Sequence, residues 1–111
     1  MSENPNKNPK PRFYAVVLIQ FTEIAKLYGY ALAVHGSLAN DLDIIVTPWV
    51  ENHKPIDELI DAFRDVIGET VWRNDSELRK PTVMPCNRLC YTIPIIGDWY
   101  IDISYINNSN P

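Results

Sequence analysis

Nowhere does this chain of 111 residues carry an apolar run close to the roughly 18 residues that a membrane-crossing helix requires. The polar start shows no secretory signal, so a cytoplasmic protein without membrane contact is expected. Cysteine is scarce. Cys86 and Cys90 are the only two, and their C-x3-C spacing matches no standard zinc finger even with His35 and His53 elsewhere, so two reduced thiols are expected. Basic charge is also short: 10 Lys and Arg face 14 Asp and Glu, giving a net charge of −4 and a pI near 5.0. Nucleic-acid binding by bulk charge is therefore disfavoured, and only a local basic site stays open. What remains is ordinary for a globular protein, with 46% hydrophobic and 22% charged residues, enough for one domain with its own core.

Residues 1–11 are mostly Asn, Pro, Lys and Ser and predict a disordered arm, with a single domain over 12–106 and a flexible tail over 107–111. From Arg12, residues Phe13, Val16, Val17, Phe21, Ile24, Leu27 and Tyr28 fall on helical spacing, with Gln20 the one break in the stripe. Pro11 suits the first turn and Gly29 the stop. Tyr30 to Val34 reads as a buried strand, and Asp41 to Thr47 as a second that ends at Pro48. Trp49 would be either a lid over the core or a wall of a binding cleft. Pro55 to Ile67 is a second helix, stopped by Gly68, with Ile56, Leu59, Ile60, Phe63 and Ile67 on its apolar face. Asp57, Glu58, Asp61 and Asp65 fall on other faces and read as solvated charge. Thr70 to Trp72 is a candidate short strand, and Arg73 to Asn87 a long surface loop. That loop and its end carry Arg73, Arg79, Lys80 and Arg88, the densest basic cluster outside the arm. Leu89 to Ile95 and Trp99 to Ile106 are strand-like runs joined by Ile96-Gly97-Asp98, a hairpin by composition. No internal repeat is present.

The chemistry concentrates in Val34-His35-Gly36-Ser37-Leu38-Ala39-Asn40-Asp41-Leu42-Asp43-Ile44-Ile45-Val46. Strand side chains alternate, so Asp41 and Asp43 share a face if they open a strand. Two adjacent carboxylates repel each other and favour a hard divalent cation, Mg²⁺ or Mn²⁺, with a substrate phosphate completing the shell. Gly36 lets backbone approach a ligand, and Ser37 can cap a turn whose free N–H groups face an anion. Further on, Asp102 sits between Ile101 and Ile103, an expensive place to bury a charge unless something pairs with it. A metal shared with Asp41 and Asp43 would do so.

Gly36-Ser37, then Asp41-x-Asp43, then Ile101-Asp102-Ile103 in that order resemble the signature of the DNA polymerase β-like nucleotidyltransferase superfamily. More narrowly, the chain resembles short proteins of bacteriophages and prophages that share this pattern; Val34 to Trp49, Lys80-Pro81, Arg88 and Tyr100 to Ser104 carry that likeness. The resemblance implies an α+β fold, a minimal nucleotidyltransferase-like mixed sheet with helices packed on one face. It also implies Mg²⁺ or Mn²⁺ on Asp41, Asp43 and Asp102, which are then both the metal ligands and the catalytic residues.

The implied activity is metal-dependent transfer of a nucleotidyl group from a nucleoside triphosphate to an unknown acceptor, with a partner protein where an acceptor-selecting domain is missing. A phage-borne protein would work in the host cytoplasm. The chain departs from the superfamily between Gly-Ser and Asp-x-Asp, where only Leu38, Ala39 and Asn40 stand and none is basic. Lys80 and Arg88 are the residues to replace the missing phosphate clamp. Gly36 and Ser37 complete the nucleotide site, and His35 either bonds a phosphate or satisfies backbone near the turn. The alternatives are an inactive nucleotide- or metal-binding module, or a phage-encoded protein that binds and inhibits a host factor.

Overall fold

A computed structural model describes residues 10–36, 41–68, 80–95 and 99–107. The elements run α1 (Lys10–Tyr28), β1 (Tyr30–His35), β2 (Leu42–Pro48), α2 (Ile56–Ile67), β3 (Thr82–Met84), β4 (Arg88–Pro94) and β5 (Tyr100–Tyr105), with a 3-10 turn, Pro85–Asn87, between β3 and β4. The strands form one sheet in the order β1-β2-β5-β4-β3. Only β2 and β5 run parallel; the other neighbours are antiparallel. This is the expected α+β architecture with a mixed sheet.

Alternation along the strands decides where the core lies. Leu42, Ile44 and Val46 of β2 point to one side, with Ile101, Ile103 and Tyr105 of β5 and Tyr91 and Ile93 of β4. Tyr14, Val17, Phe21 and Ala25 of α1 and Leu59, Ile60 and Phe63 of α2 bury against that side. Both helices therefore cover the same face. Between the helices Phe21 stacks on Phe63, ring centroids 4.0 Å apart and 9° from parallel. Fully burying an aliphatic or aromatic side chain of this kind contributes about 1.5–3 kcal/mol.

Helix boundaries follow local chemistry. Pro55 precedes α2, Asp57 and Glu58 fall in its first turn, and Gly68 closes it by donating its N–H to the Arg64 and Asp65 carbonyls at 3.0 and 3.1 Å. Gly29 ends α1 at φ +89°, and a Cβ there would lie 2.7 Å from the His53 Cα, so no larger residue fits. Helix α1 begins at Lys10, two residues before the expected start at Arg12.

The stripe expected on α1 is rotated. Tyr14 and Ala25 belong to the buried line, whereas Val16 and Leu27 are exposed, as is Ile19. Helix α1 carries apolar residues around most of its circumference, so spacing alone leaves the buried face open; the sheet selects it, helped by the Tyr14 hydroxyl donating to the Tyr100 carbonyl at 3.2 Å.

Trp49 is 76% exposed and neither lids the core nor lines the cleft described below. Its backbone N–H donates to the Gly29 carbonyl at 2.9 Å, which fixes the backbone and leaves the indole outside. The loop expected to reach Asn87 is interrupted by β3, a three-residue edge strand whose Thr82 pairs with Cys90 and Met84 with Arg88.

The acidic residues of α2 are not all merely solvated. Asp61 pairs with the buried Arg64 at 3.1 Å, and Asp57 accepts a long bond from the Tyr91 hydroxyl at 3.4 Å. Burial, followed by the Asp57 charge, pushes the Tyr91 hydroxyl up to about 12. Strands β4 and β5 are antiparallel neighbours as expected, closed by the Ile95 N–H on the Trp99 carbonyl at 2.9 Å. The turn at 96–98, the expected strand at 70–72, Arg73, Arg79, the arm over 1–9 and the tail from 108 lie outside the described residues. Among the described residues no helix is long and apolar enough to cross a membrane.

Candidate functional site

The second face of the sheet carries the polar half of the alternation. On β2 that half includes Asp43 and Ile45, on β5 Tyr100, Asp102 and Ser104, and on β4 Arg88, Cys90 and Thr92. Strand register then assembles a row. His35 stands opposite Asp43 across β1 and β2, Asp43 opposite Asp102 across β2 and β5, and Asp102 opposite Thr92 across β5 and β4. Paired strands lie about 5 Å apart, so the two carboxylates are immediate neighbours. A parallel pair puts opposite residues on the same face, which is why the central β2–β5 ladder brings them together.

Asp41 lies just ahead of β2 and joins the row from below. Its Oδ2 accepts a hydrogen bond from the Tyr100 hydroxyl at 3.2 Å, and Tyr100 is two residues before Asp102 on the same face of β5. That bond to the Asp41 carboxylate, reinforced by the charges of Asp41 and Asp102, raises the Tyr100 hydroxyl above its usual range. The pKa of Asp43 is raised by its surroundings. Burial raises its carboxyl first, the negative Asp102 and Asp41 raise it further, and His35 pulls the other way. Two neighbouring carboxylates thus act on Asp43.

Asp102 itself is half-buried, not enclosed. Ile101 and Ile103 turn into the core while Asp102 turns out, and its Oδ1 accepts a 2.7 Å hydrogen bond from the Thr92 hydroxyl. The cost expected for a carboxylate between two isoleucines does not arise, so a metal is not required to satisfy it.

Gly36 ends β1 at φ +89°, and a Cβ there would sit 3.6 Å from the Asp43 Oδ2. The left-handed backbone favours glycine, and the absent side chain keeps that flank of Asp43 open. Ser37 lies outside the described residues.

A cleft of about 260 Å³ opens beside the row, lined by His35, Asp43, Met84, Arg88, Cys90 and Asp102 among others. Arg88 is half-buried on its wall, the one cation of the expected phosphate pair that reaches it. Lys80 is exposed just ahead of β3 and is not among the residues lining the cleft. Burial raises the Cys90 thiol, Asp102 raises it further and Arg88 opposes both, so the thiol stays protonated at neutral pH. Both cysteines are free.

Among the described residues, no group of three or more His, Cys, Asp or Glu side chains is gathered closely enough to hold a metal ion by itself. The donors that are present are nonetheless hard oxygens crowded by like charge, which suits a cation whose remaining ligands come from a substrate phosphate. Sequence reasoning missed Tyr100, Thr92 and Ser104. Tyr100 and Ser104 were within its reach, since residues two before and two after Asp102 share its face. Thr92 was not, because only the β4–β5 register brings it to Asp102. Comparison of the chain with protein-family models, curated proteins and solved structures returns no match.

Proposed function

We propose that the chain is a minimal nucleotidyltransferase of the DNA polymerase β-like kind, moving a nucleotidyl group from a nucleoside triphosphate to an acceptor hydroxyl with release of pyrophosphate. One observation carries this reading: Asp43 and Asp102 stand in register on adjacent parallel strands, close enough to Asp41 that both neighbours raise the Asp43 carboxyl.

Asp41, Asp43 and Asp102 are the residues that would hold Mg²⁺ or Mn²⁺, with substrate phosphate supplying the rest of the shell. Bound there, the cation would act as a Lewis acid toward the phosphate and lower the pKa of the acceptor hydroxyl. The chain's own groups do the rest. Asp102 would meet the cation through Oδ2, because Oδ1 is already engaged by Thr92, and the proton of the acceptor hydroxyl leaves to bulk water. Arg88 binds phosphate oxygens from the cleft wall, and Gly36 lets them approach Asp43 without a side chain in the way. Ser37, which follows Gly36 in the chain, and Lys80, exposed just ahead of β3, are proposed for the same nucleotide site from the sequence. His35, opposite Asp43, offers a ring nitrogen to substrate.

Thermal melts of the intact chain with Mn²⁺ and a non-hydrolysable nucleoside triphosphate test this directly. The parent should be stabilised by Mn²⁺ and nucleotide together, since a ligand that binds only the folded state raises its stability by mass action. Asp43→Asn should lose that stabilisation while melting no lower than the parent without metal. A parent indifferent to Mn²⁺ and nucleotide would overturn the proposal.

A further inference from the structure

The Thr92–Asp102 pair has a geometry that packing does not explain. Thr92 is exposed, so its side chain contributes little to the core, yet its flanking residues Tyr91 and Ile93 are buried on the other face. Those two anchors and the antiparallel register opposite Asp102 fix where the Thr92 Cβ stands. A β-branched side chain has little freedom at χ1, so the hydroxyl is presented in a narrow range of directions. The resulting bond is 2.7 Å, a well-formed hydroxyl-to-carboxylate hydrogen bond.

A carboxylate on an open strand face otherwise rotates freely and can turn either oxygen, or neither, toward its neighbour. We infer that Thr92 is a positioning residue, resting on the function proposed above: its hydroxyl holds Asp102 Oδ1 and leaves Oδ2 as the oxygen that meets the divalent cation beside Asp43. Hydroxyl partners of this kind act on the ion only through the ligand they orient, and losing one typically costs 10–100-fold in metal affinity.

Titration of the full chain with the Mn²⁺ complex of a non-hydrolysable nucleoside triphosphate, followed by the paramagnetic signal of the unbound complex, separates the possibilities. Thr92→Val keeps the shape and strand preference but removes the donor; Thr92→Ser keeps the donor. Thr92→Val should weaken binding of the complex about tenfold or more, Thr92→Ser should stay within about threefold of the parent, and neither should shift the metal-free melting temperature by more than a few degrees. In an Asp102→Asn background, Thr92→Val should change that affinity no further. Equal affinity for Thr92→Val and the parent would overturn the inference and leave the nucleotidyltransferase reading standing. So would a Thr92→Ser as weak as Thr92→Val, or a Thr92→Val that unfolds without metal. A parent that does not bind the complex at all overturns that reading and the inference with it.

Discussion

The two faces of the sheet use the same strands for opposite ends. On the covered face, Leu42, Ile44, Ile101 and Ile103 are essentially inaccessible and packed under two helices. One residue along in each case, Asp43 and Asp102 stand on the open face with His35, Thr92 and Arg88 around them. The covered face is held by area, which is insensitive to the identity of any one polar group. The open face gathers like charges, and burial first, then the Asp102 and Asp41 charges, raise the Asp43 carboxyl. Buried area and the charged row are thereby divided between alternate positions of the same strands, and substitutions on the two faces should separate cleanly.

The largest effect is expected on the covered side. Phe63 is fully buried and stacked on Phe21, so Phe63→Ala should cost about 3–5 kcal/mol in urea unfolding. Whatever fraction remains folded should bind Mn²⁺ as the parent does. A stable variant with lost metal binding would mean the two faces are coupled.

Next comes Arg88 on the cleft wall, together with Lys80 just ahead of β3. Lys80→Ala with Arg88→Ala should weaken nucleotide binding by about tenfold, while exposed or half-exposed charges of this sort contribute only about 0–1 kcal/mol to stability. Calorimetric titration with a non-hydrolysable nucleotide, beside a urea curve, reads both. Unchanged affinity with collapsed stability would make these side chains structural.

The smallest effect is a pH dependence. Because the folded-state pKa of Asp43 is raised, the native protein takes up that proton more readily than the unfolded chain. The unfavourable contribution of ionised Asp43 is therefore complete above its folded pKa and vanishes as pH falls below the unfolded value. Asp43→Asn should be the more stable protein at neutral pH, with the gap closing as pH falls through the carboxylate range. A gap that widened on acidification would show that Asp43 is stabilised as an anion.

What the sequence disclosed tracks how local each feature is. Helix α2 was legible because Pro55 and Gly68 bracket it and its apolar residues keep a single face. Asp43 and Asp102 stood out because a charge in an apolar strand is conspicuous in one dimension. Strand β3 was invisible: Thr82 and Val83 are exposed, Pro81 and Pro85 flank it, and only pairing with β4 makes it a strand. The buried face of α1 was equally unreadable, since apolar residues lie nearly all round it and the sheet makes the choice. Thr92 belongs with these, because register is a long-range property that no local pattern encodes.

The central claim is that the open face is a cation site built on the β2–β5 ladder, and anomalous scattering tests it most directly. Crystals grown with Mn²⁺ and a non-hydrolysable nucleoside triphosphate should give a peak at the manganese edge in contact with both Asp43 and Asp102. Nucleotide and Mn²⁺ bound elsewhere, or no peak between those two carboxylates at saturating Mn²⁺, would contradict the account.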